Sequence, residues 1–235
     1  MGTGGEESQE DPRSLASRNA LLLLLAGAAG CIDALSYLGL GQVFTANMTG
    51  NTVLLGVALC RARWWAVARS GAALVSFLAG VAVGAAVAER GGEDVAWPPS
   101  VTAALALEFA ALLALAAGWA FAGGTQAVLY CLIFLSALAM GVQSAAVGRL
   151  GVSSVSTTFV TGTLTTFTQR SVDRLSSADD GEEPKNGPRL TAGVWLVYLA
   201  GATAGGAADV WWARGAILPP LVLVGAVVAT RYRGR

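Results

Sequence analysis

The chain has 235 residues, of which 54% are hydrophobic and only 13% charged, with a mean hydropathy of +0.60. Soluble domains carry about 25% charged residues, so the composition excludes an ordinary water-facing surface and selects a membrane-embedded protein. Fifteen basic and fifteen acidic residues cancel and histidine is absent, which argues against nucleic acid as a partner and removes the commonest general base and metal ligand.

Residues 1–17 are polar and mostly acidic and read as a disordered cytoplasmic tail. Arg18 followed by "NALLLLLAGAAGC" imitates a signal peptide ending at a lipidation cysteine. Ala28, however, stands where a bulky aliphatic is expected, and the apolar run continues to Leu40, so this is a signal-anchor-like first span. Residues 19–41 hold one charge, Asp33; residues 42–60 and 70–88 hold none; residues 95–148 hold one, Glu108, and are long enough for two spans with a turn at 122–126. Residues 150–169 are uncharged, 171–189 form a polar cytoplasmic loop, and 190–208 and 215–230 are again uncharged. The reading is an all-α polytopic bundle of up to eight hydrophobic segments in a single transmembrane domain, 18–231. Cys31, Cys60 and Cys131 lie in apolar runs with no CxxC spacing and read as small packing residues.

The chain repeats itself. At a shift of 112 residues, Ala34, Leu38, Gly39, Val43, Thr45, Thr49 and Gly50 fall on Ala146, Leu150, Gly151, Val155, Thr157, Thr161 and Gly162. At a shift of 121, Leu78, Ala79, Gly80, Gly84 and Ala86 meet Leu199, Ala200, Gly201, Gly205 and Ala207. Two halves, about 19–122 and 125–231, then each hold a span, a Thr-Gly segment, a Gly-xxx-Gly span and a fourth span. Arg61, Arg63 and Arg69 follow the first Thr-Gly segment, and Arg170, Arg174, Lys185 and Arg189 follow the second. Both groups face the cytoplasm only if both segments cross, so the positive-inside rule favours eight crossings, parallel halves and cytoplasmic termini. Six full spans with two re-entrant or broken Thr-Gly segments is the other arrangement.

The Thr-Gly segments carry the candidate site. Written as a helix, the first puts Thr45, Thr49 and Thr52 on one stripe, with Asn47 and Asn51 one turn apart. The second aligns Thr157, Thr161, Thr165 and Thr168. An asparagine amide has four hydrogen-bonding sites to fill, so Asn47 and Asn51 are expected to face protein or water rather than lipid. Gly50 and Gly162 permit close helix contact or a local break. Asp33, sharing a face with Ser36 and Tyr37, and Glu108 are intramembrane acids of the kind that serve ion or proton paths. Arg149 takes the place of Tyr37 in the second copy and is a candidate partner for Asp33; Gln143 and Ser144 lie on the matching span and either line the same cavity or tie helices together. Gly80/Gly84 and Gly201/Gly205 read as packing faces.

"GCIDALSYLGLGQVFTANMTGNTVLLG", 30–56, with "GVQSAAVGRLGVSSVSTTFVTGTLT", 141–165, resembles the YoaK family of bacterial multi-pass membrane proteins, filed as a domain of unknown function. The likeness covers roughly residues 18–231, and Asp33, Thr45, Asn47, Thr49, Gly50, Asn51, Gln143, Thr157, Thr158, Thr161, Gly162 and Thr163 match its pattern. The resemblance implies an integral inner-membrane protein with six or seven spans and supplies no substrate. The residues themselves point to a transporter or channel for a small solute or ion, embedded in the lipid bilayer, non-enzymatic and without cofactor or metal. A structural membrane protein that binds a partner subunit is the alternative, and homo-oligomerisation is compatible with either.

Overall fold

The computed structural model describes residues 12–89, 97–119, 125–150, 165, 168, 169, 187–212 and 215–233. These residues form seven helices and no strand: α1 Pro12–Gly39, α2 Met48–Cys60, α3 Trp64–Ala88, α4 Pro99–Trp119, α5 Gln126–Arg149, α6 Gly187–Trp212 and α7 Leu218–Arg233. Five are long and apolar enough to cross a membrane: α1, α3, α4, α5 and α6. At 16 residues α7 is about 24 Å long, and at 13 residues α2 is about 20 Å, both short of the roughly 30 Å hydrocarbon layer.

Glycine sets how the helices pair. A methyl group at Gly30 would strike the Tyr198 carbonyl, and one at Gly201 the Gly27 carbonyl, so α1 and α6 pack backbone to backbone and run parallel. Gly80 meets Leu138 and Gly84 meets Val142 in the same way, which lays α3 parallel to α5. The hydrogen bonds Ser36–Ser136 and Gln143–Leu25 fix α1 antiparallel to α5. Ser100 Oγ donates to the Ala88 carbonyl at 2.8 Å, joining the start of α4 to the end of α3. The far end of α4 delivers Trp119 against Gly39. α7 returns along α1 and brings Arg231 to 3.5 Å from Ser17. The core is aliphatic, with Leu22, Leu25, Ile32, Leu105, Leu112, Ile133 and Met140 fully enclosed. α1 is the most enclosed of the long helices and α6 the least.

Three expectations are corrected here. First, residues 40–47 are not helical, and the stripe Thr45–Thr49–Thr52 does not exist: Thr45 is buried, whereas Thr49 and Thr52 are exposed. The physical reason is that α1 closes with a Schellman-type end, Gly41 at φ 82° and Gln42 N–H donating to the Tyr37 carbonyl. The chain then turns back along α1 until Asn47 caps a new helix by accepting from Gly50 N–H at 3.2 Å.

Second, α2 leads back to the end of the bundle from which the chain came, because Arg69, in the second turn of α3, reaches the Gly41 carbonyl at 3.4 Å. The first Thr-Gly segment therefore enters and leaves at one end, and Arg61, Arg63 and Arg69 lie at the opposite end from Ser17 and Arg231. Third, α1 and α5, the spans that the repeat equates, run antiparallel rather than parallel.

The tryptophans do mark helix ends. Trp64, Trp65, Trp211 and Trp212 are exposed at one end of the bundle, and Trp97 lies at the other with the Arg231 guanidinium 4.4 Å over its ring.

Candidate functional site

The break in the first Thr-Gly segment is organised around Asp33. Thr45 and Ala46 N–H both donate to its Oδ1 at 2.7 Å, and Asn47 N–H donates to Oδ2 at 3.0 Å. Tyr198 Oη, from α6, donates to Oδ2 at 2.5 Å. Four donors and no acceptor address one carboxyl group that is 3% exposed, which is the set that an acceptor-only carboxylate fills. Asp33 lies six residues before Gly39, so the loop is held about 9 Å back from the end of α1. Without those bonds three main-chain N–H groups would be stranded in an apolar interior, at about 1–3 kcal/mol each.

Asn51 completes the turn from the other side. Its Oδ1 accepts from Phe44 N–H at 3.0 Å and its Nδ2 donates to the Phe44 carbonyl, so one side-chain amide pairs with a peptide unit as a neighbouring strand would. The Phe44 ring stacks on Tyr37 with centroids 5.2 Å apart and lies over Gly50, where a methyl group would come within 2.8 Å of the ring. Thr45 supplies a second junction. Its hydroxyl lies 2.9 Å from Ser36 Oγ on α1 and accepts from Ser136 Oγ on α5 at 2.9 Å; all three are buried. Loop 40–47 is thus bonded to α1 and α5, and Tyr198 of α6 joins it through the shared Asp33 carboxyl group.

Of the residues singled out in the sequence, Asp33, Thr45, Asn47 and Asn51 come together here, with Gly50 and Tyr37 at the edge. Thr49 faces outward. Gln143 is buried on α5 and donates to the Leu25 carbonyl at 3.2 Å, two turns from Ser136, and Ser144 beside it is half-buried. Arg149 ends α5 exposed, while the partners of Asp33 are main-chain amides and Tyr198, so the proposed Asp33–Arg149 pair is replaced. Thr157, Thr158, Thr161, Gly162 and Thr163 lie outside the described residues.

Glu108 stands apart in the middle of α4, with 0% exposure and no hydrogen-bond partner for either carboxyl oxygen among the described residues. Among those residues no group of three or more His, Cys, Asp or Glu is placed to hold a metal ion.

Sequence reasoning missed Ser136 and Tyr198. Both had a signal. Ser136 lies seven residues before Gln143, on the same helix face. Tyr198 is a phenol inside a Gly-xxx-Gly span, and a buried phenol O–H needs an acceptor.

Comparison with known proteins places the chain. The family model described as "Protein of unknown function (DUF1275)" matches residues 21–230. The chain belongs to the DUF1275 family. Its relative in Bacillus subtilis (strain 168), the UPF0700 transmembrane protein YoaK, is 36% identical over 215 residues, covering 92% of this chain and 94% of that protein. The DUF1275 match takes in the Asp33 site and both Thr-Gly segments. With five span-length apolar helices, the chain is a multi-pass membrane protein. No solved structure matches it.

Proposed function

We propose that this chain passes a small solute or ion across a membrane, with the interrupted segment 40–60 as its working part. One observation carries the reading: non-helical backbone is held well inside the bundle, by Asp33, rather than at a helix end. Irregular backbone at such depth is tolerated where protein encloses it or where it lines an aqueous cavity, and interrupted helices are how many transporters build their sites.

Two acids divide the work. The Asp33 oxygens are filled by donors, so Asp33 positions the main chain. Glu108, with neither oxygen partnered among the described residues, is the acid that takes up a proton. Tyr37, Thr45, Asn47, Gly50, Asn51, Gln143 and Ser144 belong to the path on this side, while Thr49, which faces outward, does not. Thr157, Thr158, Thr161, Gly162 and Thr163 supply the counterpart from the second half. The two halves are inverted, about an axis in the membrane plane; the antiparallel α1 and α5, and the reciprocal glycine packing of α3 on α5 and α6 on α1, support this. The protein resides in the inner (plasma) membrane with both termini cytoplasmic; the adjacency of Ser17 and Arg231 supports a shared side. The reading is non-enzymatic and needs no cofactor.

A non-transporting protein that docks a partner subunit is the second reading. It is favoured by the way Asp33, Thr45, Ser36 and Ser136 satisfy one another while Asn51 is filled by the Phe44 peptide unit. Purified protein in proteoliposomes, challenged with a panel of small cations, anions and neutral solutes, separates the two. Uptake of at least one solute that Glu108→Gln abolishes, with unfolding temperature retained, supports transport. Sealed vesicles that exclude every solute, and a purified bundle that remains bound to another subunit, would support the second reading.

A further inference from the structure

The end of the bundle away from Ser17 and Arg231 carries a feature whose arginines and tryptophans the transport reading does not use. Between the turn after α1, the second half of α2 and the first two turns of α3 lies a cavity of about 490 Å³. Its lining combines two arginines, Arg63 and Arg69, and two indoles, Trp64 and Trp65, with the aliphatic Leu54 and Val57; no acid lines it. The Arg63 side chain is exposed and has no ion-pair partner among the described residues. Arg69 is half-buried, with its Nε unpartnered and a single long contact, 3.4 Å, from Nη1 to the Gly41 carbonyl. Two guanidiniums thus face one cavity with no acidic side chain among its described lining, and the half-buried one, Arg69, is of a kind that is expensive to desolvate unless paired.

Two more observations fall on the same place. Gln42 (φ 64°) and Ala62 (φ 50°) are the non-glycine residues with left-handed backbone among those described, and both line this cavity. Such conformations are unfavourable and gather at ligand clamps. Trp64 and Trp65 are each 67% exposed in the first turn of α3, and exposed indoles settle at headgroup depth. Arg69 lies one and a half turns deeper, within reach of that level by extending its side chain back. The flank of α2 beside the cavity is apolar and open, with Val53 and Val57 exposed.

We propose that this notch seats the phosphate headgroup of an anionic membrane lipid, with Arg63 and Arg69 on the phosphate and an acyl chain along Leu54 and Val57. The guanidinium fork matches phosphate oxygens, and basic pockets between membrane helices are suited to anionic headgroups. A soluble anion shares the headgroup chemistry but leaves the open aliphatic flank unused. The inference is independent of whether the protein transports anything.

Tryptophan quenching by bromine-labelled acyl chains tests it on the purified full chain in mixed micelles, with a Trp64→Phe/Trp65→Phe variant subtracted to isolate the notch. Brominated phosphatidylglycerol is expected to half-quench at about thirtyfold lower mole fraction than brominated phosphatidylcholine, the factor for two arginines. Arg63→Gln, at an exposed position that leaves the fold alone, is expected to cut that preference about fivefold, and Arg63→Gln/Arg69→Gln to erase it. Equal quenching by the two lipids, or a preference that survives Arg63→Gln undiminished, overturns the proposal. Loss of the preference in excess inorganic phosphate overturns the lipid assignment in favour of a free small anion.

Discussion

Asp33 and Glu108 are both carboxyls inside apolar helices, and nothing in their local sequence separates them. The fold does: among the described residues Asp33 receives four donors and Glu108 none. Opposite responses to substitution follow. Asp33→Asn keeps one acceptor oxygen and turns the other into a donor that faces two of the four donors, and is expected to destabilise by about 3 kcal/mol. Tyr198→Phe removes one donor and is expected to destabilise by about 2 kcal/mol. Thermal unfolding in detergent measures both, and because the groups touch, the double variant should fall short of the sum. Additive losses would mean that the phenol and the carboxyl do not interact. Glu108→Leu is expected to stabilise by about 2 kcal/mol, since it exchanges an unpartnered buried polar group for an apolar one. A lower unfolding temperature for Glu108→Leu would reveal a hidden partner.

At the scale of elements, the two ends of the broken segment are built alike and finished differently. α1 stops with Gly41 in the left-handed position, where glycine is at ease. α2 stops with Arg63 N–H donating to the Ala58 carbonyl and Ala62 N–H to the Leu59 carbonyl, the same motif with alanine at φ 50°. Ala62→Gly is therefore expected to stabilise the protein by about 1 kcal/mol, read as a raised unfolding midpoint. The packing glycines predict the reverse. Gly201→Ala drives a methyl group into the Gly27 carbonyl and is expected to destabilise by about 1–3 kcal/mol, whereas Gly206→Ala, with nothing within 4 Å, is expected to change little. Equal effects at the two positions would dissociate α6 from α1. Long apolar runs made the spans legible, and Gly80/Gly84 and Gly201/Gly205 were legible as packing faces. Residues 40–47 were not, because a threonine-asparagine pattern at helical spacing looks the same whether or not a carboxylate 12 to 14 residues earlier claims its N–H groups.

For the whole molecule, the decisive matter is which ends share a side. Ser17 and Arg231 are neighbours, while the Gly41–Arg69 contact puts the α2–α3 turn at the other end. Cys60, exposed at the end of α2, belongs to that turn. In a background lacking Cys31 and Cys131, a membrane-impermeant maleimide is expected to reach Cys60 from one side of the membrane and an introduced Ser17→Cys from the other. Labelling of both from one side would show that α2 crosses and would remove the re-entrant segment. The charge pattern misled on this point because Arg69 is held by a carbonyl of the loop it follows. An arginine employed that way reports a local contact as much as a side of the membrane.

The sequence by itself determined that the chain lives in lipid, that it is helical, and that Asp33 and Asn51 turn inward. Hydrocarbon leaves no other solution for a chain so poor in charge, and no other direction for an amide or a carboxyl group. Only the tertiary structure decided that the first Thr-Gly segment breaks and turns back, that α1 and α5 oppose each other, and that one acid is saturated while the other has no partner among the described residues. Those outcomes depend on which main-chain groups from distant parts of the chain arrive beside each side chain, and spacing along one strand of sequence does not encode that meeting.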